Sequence, residues 1–137
     1  MDNLDISIEI YKISTAIVTS INHELKPYHL TFQQFLILWF ISQQEGEVVG
    51  KDICQYLGIS HPTAVGLTSR MVNRDFLIFS ISHKDRRQTS FTLSQHGREV
   101  LTETQGIIED VQKKIAVVLG KNMDLFKECL LSLENVL

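Results

Sequence analysis

Residues 51–72 read KDICQYLGISHPTAVGLTSRMV, and this stretch decides the fold. Ile53, Cys54 and Leu57 recur at helical spacing, and Gly58-Ile59-Ser60 supplies a tight turn. A second helical pattern begins at once, with Ser60 as its N-cap and Pro62 in its first turn. Two short helices joined by a glycine-containing turn of about three residues make a helix-turn-helix. In the second helix Val65, Leu67, Met71 and Val72 are expected to point inward. That leaves His61, Thr63, Ala64, Gly66, Thr68, Ser69 and Arg70 free of the core. His61, Thr63 and Ser69 carry groups that hydrogen-bond to phosphates or base edges, while Ala64 and the Thr63 methyl suit thymine methyls. A solvated face explains any one of these residues; the set, with Ser60 at the cap, reads as a recognition surface.

Upstream, Thr31 and Gln34 form a capping box that opens a core helix containing Phe32, Phe35, Leu36, Leu38, Trp39 and Phe40. Gly46 closes it, and Glu47-Val48-Val49 leaves room for only a stub of strand. Downstream, residues 77–82 and 88–93 are β-branched and aromatic runs, separated by His83-Lys84-Asp85-Arg86-Arg87. These predict a β-hairpin with a cationic tip. Ser94 then caps a long helix carrying Val100, Leu101, Ile107, Ile108, Val111, Ile115, Val118 and Leu119, which Gly120 ends. A last helix carries Leu125, Phe126, Leu130, Leu133 and Leu137. At the other end, from Leu4 to about Lys26, Ile6, Ile10, Ile13, Ile17 and Ile21 lie on one stripe, stopped by Pro27. Such a stripe needs another apolar layer, from this chain or from a second copy.

At 137 residues and 44% apolar content, the sequence suits one folded domain. It has no apolar run of spanning length, and its opening residues are acidic where a secretory signal would be basic; the expected place is the cytoplasm, away from membranes. The formal charge of −3 argues against a polyanionic partner until it is divided. Residues 51–98 hold seven basic and three acidic side chains, net +4, and the remainder six and thirteen, net −7. The field at the contact surface is what attracts a polyanion, so a basic centre between acidic ends is compatible with double-stranded DNA.

Cys54 and Cys129 are the only cysteines, with no CxxC pair and no Cys/His cluster. They read as small hydrophobes within helices, and neither a metal nor a cofactor is called for. A Ser/His/Asp, Cys/His or paired-carboxylate arrangement is also lacking, which excludes the commoner hydrolytic enzymes.

The Leu30-Thr31-Phe32-Gln33-Gln34-Phe35 and Leu57-Gly58-Ile59-Ser60-His61-Pro62-Thr63 stretches, and Asp85-Arg86-Arg87 followed by Thr92-Leu93-Ser94-Gln95-His96-Gly97-Arg98, resemble the MarR family of bacterial winged-helix regulators over about residues 30–101. The resemblance implies a mainly α fold with a small β-hairpin, an α+β winged helix-turn-helix. It divides the single domain of residues 1–137 into a DNA-binding lobe, residues 31–98, and dimerisation helices, residues 1–28 and 99–137. It further implies a homodimer with its recognition helices in successive major grooves, a wing of Lys84, Asp85, Arg86 and Arg87 with Arg87 entering the minor groove, and Asp85 holding the wing by pairing with an arginine. Members often respond to small aromatic ligands bound between the lobes; His23, Tyr28, His29 and Trp39 lie near that junction in sequence. The family's peroxide sensors keep a cysteine in the first helix, which this chain lacks.

This chain departs from the family pattern at Gly66, Phe79 and Ser80, where basic residues are frequent, and at Asp75, usually glycine. Each missing cation removes about one unit from the salt slope of DNA binding. The expected function is a DNA-binding transcription regulator, a repressor released by a small aromatic effector. The alternative is a degenerate winged helix that binds a protein instead of DNA, and the retained basic wing favours the first.

Overall fold

The computed structural model describes residues 5–137, which fall into two compact units, one ending at residue 105 and the other comprising residues 106–137. The predicted helix start at Leu4 and the acidic opening residues 1–4 lie outside the described residues. In the first unit α1 (Asp5–Leu25) runs into a 3-10 turn (Lys26–Tyr28), then α2 (Phe32–Gln43), β1 (Val48–Val49), α3 (Gly50–Leu57), α4 (His61–Asn73), β2 (Leu77–Ile81), β3 (Thr89–Leu93) and the start of α5 (Gln95–Leu119). The second unit holds the rest of α5, a 3-10 turn (Gly120–Asn122) and α6 (Met123–Val136).

The Thr31 capping box forms as expected: Gln34 N donates to Thr31 Oγ1 at 3.2 Å, and Thr31 N to Gln34 Oε1 at 3.1 Å. Asn22 Oδ1 accepts from Phe32 N at 2.7 Å, tying α1 to the start of α2. Ile37, Leu38, Ile53 and Met71 are completely buried between α2, α3 and α4, and the Phe40 and Tyr56 rings stack with centroids 4.4 Å apart. Burial of a large aliphatic side chain contributes about 1.5–3 kcal/mol, so this cluster fixes the helix-turn-helix geometry.

The expected strand stub forms as β1, two residues long. Val48 pairs with Phe91 and Val49 with Ser90, so the expected hairpin is a three-stranded antiparallel sheet in the order β1-β3-β2. In the hairpin Leu77 faces Leu93, Phe79 faces Phe91 and Ile81 faces Thr89, which leaves seven residues, 82–88, outside the strands at the tip.

The turn from α4 into β2 explains why glycine is favoured at position 75. Asp75 has φ 61°, and the Asp75 and Phe76 amides donate to Val72 O and Met71 O at 3.0 and 2.8 Å. This is a left-handed helix stop, open to aspartate at some conformational cost. Gly97 meets the same turn. A Cβ there would lie 2.1 Å from Phe76 O, and Ser94 Oγ caps α5 by accepting from Gly97 N at 2.9 Å while donating to Asp75 O at 2.5 Å.

Of the five isoleucines on the first stripe, only Ile21 is buried; Ile6, Ile10 and Ile13 are 64, 46 and 60% exposed. No residue of α6 is buried, and Leu125, Phe126, Leu130 and Leu133 are exposed. One expectation needs correction: Cys129, read as a small buried hydrophobe, lies on the exposed surface of α6, which buries no side chain; Val118 of the α5 apolar set is 85% exposed. Among the described residues no helix is long and apolar enough to cross a membrane, and no group of three or more His, Cys, Asp or Glu side chains could hold a metal.

Candidate nucleic-acid interface

Ser60 caps α4 as expected, accepting from Thr63 N at 3.4 Å and sharing a 2.9 Å hydrogen bond with the Thr63 hydroxyl. The rotation of α4 about its axis differs from the sequence reading. Ala64 and Thr68, taken as free of the core, are 1 and 4% exposed, whereas Val65, taken as inward, is 47% exposed. Thr68 Oγ1 donates to Ala64 O at 2.9 Å, so its polarity is satisfied within the helix and its methyl group can pack like that of valine. The exposed surface therefore carries His61, Pro62, Thr63, Val65, Ser69 and Arg70, with Gly66 half-exposed among them.

A groove of about 660 Å³ runs between this surface, the start of α3 and the wing, lined among others by Lys51, His61, Val65, Ser69, Phe79 and Arg87. It brings together His61, Ala64, Thr68, Ser69 and Arg87 of the predicted set. Ser60, Thr63, Gly66, Arg70, Lys84, Asp85 and Arg86 are not part of its lining. Lys51, Val65 and Phe79 join a surface that the sequence reading did not give them. Phe79 is 61% exposed, and its neighbours Ile78 and Ile81 are exposed too.

The wing is internally braced. Asp85 Oδ1 accepts from Arg87 N and Nε at 3.0 and 3.1 Å, and Asp85 Oδ2 from Arg87 Nη2 at 3.2 Å. The arginine that Asp85 holds is thus Arg87 itself, whose side chain remains 89% exposed. The base of the wing has a second brace, from Glu47. Ser82 Oγ donates to Glu47 Oε2 at 2.7 Å and accepts from the Lys84 and Asp85 amides at 3.2 Å, while His83 N donates to Glu47 Oε1 at 2.9 Å. No local sequence signal marks Glu47, because its partners lie some 35 positions away and only the fold joins them.

Both carboxylates are held below their ordinary pKa, Asp85 chiefly by the Arg87 side chain and then its amide, Glu47 chiefly by the Ser82 hydroxyl and then the His83 amide. A lowered pKa means the ionised, hydrogen-bonded form persists below the ordinary carboxylate range and is lost only as pH falls through the lowered value. The His83 and Arg87 amide resonances, followed by NMR through an acid titration, are expected to shift with midpoints below ordinary glutamate and aspartate values. Midpoints at or above those values would show that the braces do not form in solution.

Of the four residues placed near a ligand site, Tyr28 and His29 line a cavity of about 550 Å³ together with Arg74, Phe76, His96 and Glu103. Arg74 Nη1 donates to His29 O at 3.2 Å, and the Phe76 and His96 rings stack 5.1 Å apart. His23 and Trp39 do not line it: His23 is exposed on α1 and Trp39 half-buried in α2.

Residues 28–88 match the model of the MarR family. The chain is 33% identical over 81 residues to the HTH-type transcriptional regulator Hpr of Shouchella clausii, an alignment covering 58% of this chain and 40% of that protein. It is 34% identical over 77 residues to the DNA-binding transcriptional repressor ScoC of Bacillus subtilis, covering 56 and 37%. The chain thus spans well under half the length of these curated relatives. Its fold is that of S. aureus MepR in a MepR–DNA complex, with a TM-score of 0.88, 19% identity, and coverage of 96 and 97% of the two chains.

Proposed function

We propose that this chain, whose residues 28–88 match the model of the MarR family, is a winged-helix transcription regulator that binds duplex DNA as a homodimer and represses the genes it binds. The observation that carries the reading is the braced wing. Asp85 orients an arginine that stays 89% exposed beside the groove in front of α4. An arginine held in that way suits the negative potential of a minor groove flanking the major groove that α4 would occupy.

The exposed isoleucines of α1 and the unburied apolar stripe of α6 support the dimer, since patches of this kind in a small chain call for a partner layer. On this reading the DNA-binding lobe is residues 31–98 and the dimerisation helices are residues 1–28 and 99–137. Lys84 and Arg86 add charge at the tip of the wing, and Ser60, His61, Thr63 and Ser69 face the DNA. The chain would work in the cytoplasm. A small aromatic effector is part of the same proposal. The cavity at Tyr28 and His29, with its stacked Phe76 and His96, is where we place it.

Two-fold protein symmetry requires an inverted-repeat operator whose half-site centres lie about 10–10.5 bp apart. Footprinting upstream of the chain's own gene, with and without simple phenols, is expected to show a two-fold symmetric protected site that phenols release. Sedimentation of the same protein at micromolar concentration is expected to give a dimer. A stable folded monomer with no symmetric footprint at saturation would sink the reading and favour the protein-binding winged helix.

A further inference from the structure

We infer that Arg70 is the guanine reader of α4, carried to the middle of the recognition surface by lying across Gly66. Ala64, Leu67, Thr68 and Met71 are the buried face of α4. Opposite them, Pro62, Gly66, Ser69 and Asn73 follow one another at intervals of four, three and four, the outward stripe that would face the floor of a major groove. Gly66 is the one member of this stripe that is only half-exposed, although it has no side chain. Arg70 is what lies over it: a Cβ at Gly66 would be 3.7 Å from Arg70 Nη1 and 3.9 Å from Nη2.

Helical side chains lean toward the N-terminus, so an arginine at position 70 naturally covers the surface one turn earlier. A branched or long residue at 66 would occupy that surface, and glycine leaves it open at some cost in helix propensity. Among the described residues the guanidinium of Arg70 has no carboxylate or carbonyl partner, so its forked donors are available to a ligand. The other exposed side chains between positions 61 and 69 are histidine, proline, threonine, valine and serine. None offers the two parallel donors that grip guanine O6 and N7, the pairing for which arginine is best shaped. A cation at the edge of the helix would meet phosphate; one over the centre of the stripe meets base edges.

This inference rests on the DNA-binding reading, and the test separates the two. The probes are the footprinted duplex and a set in which each G·C pair is exchanged for A·T symmetrically in both half-sites. The proteins are the parent, Arg70→Ala, and Gly66→Ile, which keeps Arg70 but fills the surface it lies across. The parent is expected to lose about 5-fold to 150-fold per contact, hence about 25-fold or more when one G·C position is exchanged in both half-sites. Arg70→Ala should bind more weakly and be indifferent at that position, and Gly66→Ile, with Arg70 displaced, should lose the same preference. Position 70 is exposed and Gly66→Ile raises helix propensity, so melting curves of all three should show folded proteins. Uniform weakening of Arg70→Ala on every duplex would assign Arg70 to phosphate and overturn the inference, as would an unchanged preference. A Gly66→Ile variant that keeps the parent's preference overturns the placement over Gly66. A parent protein that binds no duplex fails the DNA reading itself.

Discussion

Gly97→Ala is expected to destabilise the protein by about 3 kcal/mol or more, lowering Tm by about 10 °C or more. The new methyl would sit 2.1 Å from Phe76 O and 3.1 Å from Phe76 C, which are backbone atoms with little freedom to retreat. Phe76 O already accepts from Ser94 N at 3.1 Å, and the Phe76 amide donates to Met71 O at 2.8 Å, closing α4. Relief would require parting the N-terminus of α5 from the end of the recognition helix and breaking the Ser94 cap. Thermal melts beside Gly46→Ala, where nothing lies within 4 Å, give the measurement. Equal melting of Gly97→Ala and the parent would mean that this helix approach is absent in solution.

The second large effect concerns binding rather than stability. Arg87→Ala removes an exposed side chain at the tip of the wing and should move stability by no more than about 0.5 kcal/mol. Two symmetry-related arginines leave each dimer, and at about 1 kcal/mol or more apiece the operator affinity falls about 30-fold or further, with a shallower salt dependence. Asp85→Ala acts differently. It removes no cation, but it frees Arg87 from three hydrogen bonds, so affinity should fall through loss of order while the salt slope stays close to the parent's. A salt titration of both variants beside the parent decides the matter. Parent-like binding of Arg87→Ala at every salt concentration would remove the wing from DNA reading.

The helix-turn-helix, the capping box of α2, the N-caps of α4 and α5 and the two wing strands were legible because each rests on local spacing: Thr31 with Gln34, Gly58 before Ser60, Ser94 before the long helix. The rotation of α4 was not. In a segment of small residues, hydropathy assigns Val65 inward and Thr68 outward, yet a threonine whose hydroxyl is bonded to Ala64 O buries as readily as an aliphatic residue. Glu47 escaped for another reason, since nothing near it in sequence shows that its carboxylate will meet Ser82 and His83 across the sheet. The Leu-Ser-x-x-Gly pattern was visible, but the reason for its glycine is a carbonyl more than twenty positions upstream. Of the four residues proposed for a ligand, Tyr28 and His29 line one cavity, whereas the helices of His23 and Trp39 carry them away from it.

The two braces of the wing also bear on the entropy of recognition. A seven-residue tip free in solution would have to be immobilised at the moment of docking, and each long side chain fixed at an interface costs about 0.5–1.5 kcal/mol. Here Glu47 and Ser82 hold the backbone, and Asp85 holds the guanidinium of Arg87, before any ligand arrives. The ordering is completed during folding, so encounter with a duplex requires little further search by the tip. Operator variants should then differ in how long the complex lasts far more than in how fast it forms.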